Sequence, residues 1–224
     1  MKKLLRVLSL VTLVFTFLAT SCSEEDTLPL SDENSNINVR SLQEQLNDLP
    51  METLSSDEQS SLMFMREEEK LARDVYVVLF DEWGVNIFSN ISKSEQTHMD
   101  AMLLLLTKYS VTDPVGTNPV GVFSNSVLQD LYDQLVTQGK ISLLDAYQVG
   151  ATIEDVDIFD LTHALSETDN EDITLVYEML SKGSRNHLRS FYGNILNVDG
   201  SYTPQYITQE EFDAIVTSPK ETGF

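Results

Sequence analysis

The sequence is poor in cysteine and in positive charge. Its single cysteine, Cys22, excludes an internal disulfide. Only 14 basic residues stand against 36 acidic ones, and the formal charge is -22. No cluster of Lys and Arg could neutralise phosphates, which argues against nucleic-acid binding. The sequence also lacks a strand pattern, a Gly-rich phosphate loop and the nucleophile motif that a hydrolase would need.

The apolar content is sufficient for one folded domain with tails. Hydrophobic residues make up 42% of the 224 residues, which is enough for an ordinary core. We expect a leader at 1–21, a flexible tether at 22–54, a helical domain at 55–198 and a C-terminal tail with a short helix at 199–224.

The first residues are typical of an export signal. Three basic residues precede an apolar run from Val7 to Ala19, which is too short for a membrane span. Residues 18–22, Leu-Ala-Thr-Ser-Cys, resemble the lipobox of bacterial lipoproteins, and the acidic run 23–26 is similar to a lipoprotein export tag of some Gram-negative bacteria. The resemblance implies lipidation of Cys22 and an envelope protein anchored to the outer membrane, with its domain in the periplasm or on the cell surface. The alternative is a plain secretory signal with an incidental cysteine.

Apolar residues at spacings of three and four predict four long helices, at about 56–84, 87–109, 143–165 and 173–196. Prolines and glycines break the stretch 110–125, which predicts a loop, and an amphipathic helix at 127–138 follows it. Ferritin-like bundles use such a long crossover between their helical pairs. We therefore predict an all-α, ferritin-like four-helix bundle whose long crossover contains an extra helix.

A carboxylate and an imidazole interrupt the apolar stripe of the second helix. Phe88, Ile91, Glu95, His98 and Met102 step by three and four residues, so they share one face. Burying the two polar groups without a partner would cost several kcal/mol. A metal ion or a hydrogen-bonded polar core would satisfy them.

The other long helices offer similar groups. Glu69, Glu154 and His187 fall on or near the inward stripes of the first, third and fourth helices. A di-iron carboxylate centre takes one Glu from each of two helices and a Glu-x-x-His from each of the other two. Three of these four contributions are present, but Ser184 stands where the fourth would have its carboxylate. For Glu69 and Glu154, which lie in acidic runs, a solvated face is the alternative, and His163 is expected at the surface.

The same segments carry a family resemblance. Residues 69–76 resemble the first metal-binding helix of rubrerythrin-type ferritin-like proteins, and Glu95-Gln-Thr-His98 resembles the second. The chain from Leu62 to Leu196 resembles a ferritin-like, rubrerythrin-related family catalogued as domain of unknown function 2202. The resemblance implies a metal centre whose ligands are Glu69, Glu95, His98, Glu154 and His187.

The departure at Ser184 leaves three outcomes open. A lost bridging carboxylate lowers the negative charge that offsets the repulsion between two cations. In the first outcome Asp157, one turn beyond Glu154, supplies the missing oxygen. In the second outcome the site holds a single ion. In the third outcome the site is metal-free, and Arg73 or Arg185 pairs with the carboxylates.

Two functions follow from these alternatives. The first is an envelope-anchored protein that binds one or two ions of iron or manganese and has oxidoreductase chemistry, since carboxylates and imidazoles suit both metals. The second is a metal-free helical interaction module on the cell surface, whose crossover presents a binding loop. The sequence leaves open whether the protein is an enzyme and whether it forms a homodimer, and it names no protein partner.

Overall fold

The computed structural model describes residues 37–222. Within this range the fold is all-helical and contains no strand, as predicted. The seven helices are α1 (Val39–Asp48), α2 (Ser56–Trp83), α3 (Asn86–Lys108), α4 (Ser126–Gly139), α5 (Leu143–Glu167), α6 (Glu171–Asn197) and α7 (Gln209–Thr217). The four long predicted helices correspond to α2, α3, α5 and α6, and the helix predicted in the crossover is α4.

The predicted leader and the lipidation site at Cys22 lie outside the described residues. Among the helices between residues 37 and 222, none is both long enough and apolar enough to cross a bilayer.

Local signals set the ends of α2. Ser55 caps its first turn in a capping box with Glu58. Gly84 ends the helix in the left-handed conformation at φ 65°, and its N–H donates to the Phe80 carbonyl at 2.8 Å. The chain then turns directly into α3, which packs along α2.

The four long helices pack in a bundle-like arrangement. The α2–α3 pair and the α5–α6 pair each pack closely, and α2 also contacts α5 while α3 contacts α6. The buried apolar side chains form two clusters. The first contains Tyr76, Phe88 and Phe191, and the second contains Met102 and Leu180. On α2, α3 and α6, the residues of one cluster precede the polar groups singled out in the sequence and the residues of the other cluster follow them.

The crossover loop is bound to the outer side of α2. The Arg66 guanidinium donates to both carboxylate oxygens of Asp113, at 3.1 and 3.0 Å. The Lys70 ammonium donates to the Pro119 carbonyl at 2.8 Å, and the Glu67 carboxylate accepts from the backbone N–H of Asn125 at 3.0 Å. Charged residues of α2 that would ordinarily face solvent are therefore buried beneath the loop.

Helix α1 lies within the range 22–54, which the sequence predicts as a flexible tether. Its Leu42 and Leu46 are buried, and the Lys108 ammonium of α3 donates to the carbonyl of Leu46 at 2.7 Å. Two leucines in a polar ten-residue segment give a weak periodic signal. Short helices of this kind depend on tertiary contacts for their stability, and residues 39–48 have such contacts.

A buried carboxylate holds the C-terminal segment against α5. Asp155 accepts hydrogen bonds from the backbone N–H groups of Gln205, Tyr206 and Ile207, and from the hydroxyl of Tyr202 at 2.8 Å. Its side chain is completely buried. In the sequence, Asp155 belongs to an acidic run for which a solvated face was an alternative, and the structure excludes that alternative for this residue.

Replacing Asp155 should therefore destabilise the protein. In Asp155→Asn the amide nitrogen cannot accept, so backbone N–H groups of the tail lose their partner. We expect the free energy of unfolding to fall by about 2 kcal/mol in urea titrations. The matched Asp169→Asn variant, at an exposed position, should be unchanged, and equal stabilities for the two variants would contradict this role.

Candidate metal centre

Five acidic and imidazole side chains meet in the polar layer between the two apolar clusters. None of them is more than 2% exposed. Helix α2 contributes one, α3 two, and α5 and α6 one each: Glu69, Glu95, His98, Glu154 and His187. All five ligands predicted from the sequence thus lie together in the protein interior.

The five groups form two triads that share Glu95. The first triad is Glu69, Glu95 and His98, and the second is Glu95, Glu154 and His187; in each, the potential ligand atoms lie within 4.8 Å of one another. His98 Nδ1 lies 2.7 Å from Glu95 Oε2 and 3.2 Å from Glu69 Oε2. His187 Nδ1 lies 2.8 Å from Glu95 Oε1 and 3.4 Å from Glu154 Oε2. The two oxygens of Glu95 therefore face different imidazoles.

One close pair of these atoms lacks hydrogen-bond geometry. His187 Nδ1 and Glu95 Oε1 are only 2.8 Å apart, yet both are buried atoms that lack a hydrogen-bond partner. Two ligands bonded at about 2.1 Å to one ion and at right angles would be about 3.0 Å apart. The short distance and the missing hydrogen bond are thus what two ligands of a shared cation would show.

Neighbouring groups fix the two imidazoles. His187 Nε2 lies 3.1 Å from Ser94 Oγ, which leaves Nδ1 directed at the carboxylates. The His98 ring packs against Gly183 of α6, where an added Cβ would lie 2.5 Å from Nε2. A side chain at Gly183 would therefore displace the imidazole. The two rings stack with their centroids 5.6 Å apart.

The Tyr76 hydroxyl holds the carboxylate of Glu154. It donates to Oε1 of Glu154, while Oε2 faces His187. The Tyr76 ring belongs to an aromatic wall beside the site and lies 5.2 Å from the Phe191 ring, centroid to centroid. Tyr76 therefore joins the second triad to the first apolar cluster.

The chain is similar to proteins that are already known. Residues 58–219 match the family model described as "Uncharacterized protein domain (DUF2202)". The chain belongs to the DUF2202 family. It is 52% identical over 180 residues to the uncharacterized protein MJ0754 of Methanocaldococcus jannaschii, an alignment that covers 80% of this chain and 97% of the relative. The crystal structure of hypothetical protein MJ0754 has a TM-score of 0.76 at 53% identity, covering 77% of this chain and 99% of the other.

The predicted substitute ligand, Asp157, is one turn from Glu154 on α5 but belongs to neither triad. The hydroxyl of Ser184 donates to Asp157 Oδ2, while Asp157 Oδ1 is buried without a partner. Ser184 therefore does not simply leave a gap where the second Glu-x-x-His would have its carboxylate. It orients a carboxylate from the facing helix.

The alternative in which Arg73 or Arg185 pairs with the site carboxylates does not hold for the arginines. Arg73 donates to Asp74 and Gln96, and Arg185 donates to Glu221. Both arginines are thus directed away from the two triads. Arg73 binds residues of α2 and α3, and Arg185 binds the C-terminal segment. His163 is exposed, as expected, and lies 3.5 Å from Glu167.

Sequence reasoning missed two buried groups beside the centre. Ser94 contacts His187, and Glu68 is only 2% exposed. Ser94 is a small polar residue next to Glu95 and does not stand out in the apolar periodicity of α3. Glu68 belongs to an acidic run, and such runs usually face solvent. Its burial follows from the packing of α5 against α2, which the periodicity of a single helix does not reveal.

Burial and charge shift the pKa values of the site. Burial raises the pKa of Glu69 to about 7 against the opposing effect of His98, and burial also raises the pKa of Glu154. Burial lowers the pKa of His187, but Glu95 and Glu154 outweigh it and raise that pKa to about 10. The pKa of His98 rises well above its ordinary value for the same reason, because Glu95 and Glu69 outweigh burial. Without a cation, the site therefore keeps its imidazoles protonated at neutral pH.

These shifts predict that the metal-free protein loses stability as the pH rises. Glu69 has a pKa of about 7 when folded and an ordinary value of 4.5, so its stabilising proton is lost as the pH passes through 7. The raised pKa of His187 acts in the same direction, with its contribution lost as the pH rises towards 10. We expect the free energy of unfolding to fall by about 1 kcal/mol or more between pH 6 and pH 8 in urea titrations.

Two variants check the assignment to Glu69. Glu69→Gln cannot ionise and should show a smaller fall over the same pH range. The exposed Glu82→Gln should behave like the unchanged protein. A metal-free protein whose stability rises from pH 6 to pH 8 would contradict the assignment.

Proposed function

We propose that the protein is a ferritin-like four-helix bundle whose core binds two metal ions, one in each triad. The shared carboxylate of Glu95 carries the proposal, because its two oxygens lie 2.7 and 2.8 Å from the Nδ1 atoms of different imidazoles. The pairing of the four long helices and the long crossover containing α4 support the ferritin-like assignment.

Iron or manganese suits the donor set best. Carboxylate oxygens and neutral imidazoles bind both metals, whereas the site offers no thiolate for softer ions. Three carboxylates of the triads would offset most of the charge of two divalent ions, and Asp157 lies next to them as a fourth. Each ion would have three protein ligands, which leaves positions where dioxygen or peroxide could bind.

The chain's own residues would then perform three tasks in oxidoreductase chemistry. The two triads would hold the ions, with Glu95 contributing one carboxylate oxygen to each triad. Tyr76 and Ser94 orient Glu154 and His187 through their hydroxyl groups. The apolar clusters on both sides exclude bulk water, which strengthens the electrostatic interactions inside. A bound iron or manganese ion would supply the redox chemistry.

A metal-free interaction module gains less support from the structure. Its binding surface would be the crossover, but Arg66, Glu67 and Lys70 hold that loop against α2. The interior would also contain buried polar atoms without partners, among them Glu95 Oε1 and His187 Nδ1. A satisfied hydrogen-bond network would not leave such atoms.

Metal analysis tests the proposed centre. After loading with Fe(II) or Mn(II) and removal of free metal, elemental analysis should find about two ions per chain. Glu95→Gln removes the charge shared by both triads and should lose at least one ion. The matched Glu178→Gln variant, exposed on α6, should bind as the unchanged protein does. No retained metal, or equal binding by Glu95→Gln, would contradict the proposal.

We further propose that the protein is anchored to the bacterial envelope by lipid on Cys22. The sequence of residues 18–26 supports this assignment. Produced with its full leader in a Gram-negative bacterium, the protein should incorporate labelled palmitate and sediment with membranes. Cys22→Ser should do neither, because it lacks the thiol that is lipidated. A wild-type protein that takes up no label would contradict the anchor.

A further inference from the structure

A second group of carboxyls lies beside the proposed centre, between α2 and α5. Its members are Glu68, Asp157 and Asp160. Glu68 is 2% exposed and Asp157 is 5% exposed, whereas Asp160 is partly exposed. Neither oxygen of Glu68 has a hydrogen-bond partner, and Oδ1 of Asp157 also lacks one. Three buried oxygens thus lack a nitrogen or hydroxyl donor, and the carboxyl of Asp160 interacts with that of Glu68.

These carboxyls connect the second triad with the protein surface. Glu154, Asp157 and Asp160 follow one another on α5 at steps of three residues, each of which advances about 4.5 Å along the helix axis. The series therefore leads from a triad residue to solvent over about 9 Å. Glu68 stands opposite on α2, directly next to Glu69 in the chain, and its carboxyl is close to those of Asp157 and Asp160.

The electrostatics of this group favour a cation. The carboxyls of Asp157, Asp160 and Glu69 all lie close enough to Glu68 to act on its charge. The positive side chains on α2 are directed elsewhere, since Arg66 and Lys70 bind the crossover loop. A passing cation would relieve this repulsion and supply what the unpartnered oxygens lack.

We propose that Glu68, Asp157 and Asp160 form an entry path through which divalent cations pass from solvent to the two triads. The inference rests on the proposed metal centre and names the route by which it is filled. The path offers carboxylate oxygens alone, which bind hard divalent cations weakly, while the triads add imidazoles that retain iron or manganese. The Ser184 hydroxyl holds Oδ2 of Asp157 and leaves Oδ1 available to a cation.

The rate of metal loading tests the path. Metal-free full-length protein is mixed with Co(II) in a stopped-flow spectrometer, and the visible absorption of Co(II) follows the filling of the imidazole-containing centre. Asp160→Asn and Glu68→Gln should each slow loading by about tenfold or more, since the local cation concentration falls with the negative charge of the path. The final number of ions per chain should stay that of the unchanged protein.

Matched controls separate the path from the overall negative charge. Asp81→Asn and Glu82→Gln remove the same charges at exposed positions near the end of α2, and they should load at the original rate. Circular dichroism checks that all four variants are folded. Asp160 is partly exposed, so the loading rate of Asp160→Asn alone tests the path if Glu68→Gln does not fold.

The outcomes distinguish the path from the centre. Slower loading to full occupancy, limited to the two path variants, supports the inference. Unchanged rates in both path variants overturn it, as does a lower final occupancy at an unchanged initial rate, because the carboxyls would then be ligands or structural groups. An unchanged protein that binds no metal overturns the proposed centre and the path with it.

Discussion

The structure around the candidate centre depends on one carboxylate that two imidazoles share. Glu95 lies between His98 and His187, and its oxygens approach their Nδ1 atoms at 2.7 and 2.8 Å. An anion buried at 2% exposure requires compensating positive charge. Protons on the imidazoles supply that charge in the metal-free protein, which explains why the pKa of Glu95 falls while those of both histidines rise. Cations in the triads would replace these protons.

Helix α2 shows how the fold brings such a site into a dry interior. The charged residues 66–70 of this helix point to two different sides and make different contacts on each. Arg66, Glu67 and Lys70 bind the crossover loop, whereas Glu68 and Glu69 face the neighbouring long helices. Because the loop covers the outer side and the apolar clusters close the layer along the helices, an acidic run that would otherwise be solvated becomes part of the core.

Much of this arrangement could be predicted from the sequence, because helical periodicity depends on local spacing. The four long helices and the layer containing Glu69, Glu95 and His187 follow from steps of three and four residues. Contacts between elements distant in sequence could not be predicted in this way. The burial of Glu68 requires α5, and helix α1 requires its tertiary contacts. The link between Ser184 and Asp157 likewise depends on the register of α6 against α5.

Anomalous diffraction from crystals loaded with iron or manganese, recorded at the metal absorption edge, tests the central claim most directly. The account predicts two peaks that share Glu95, one also bonded to Glu69 and His98 and the other to Glu154 and His187, at about 2.0 to 2.2 Å from the ligand atoms. Crystals soaked in excess metal that show no peak between these side chains, and in which both imidazoles donate hydrogen bonds to the carboxylates, would contradict it.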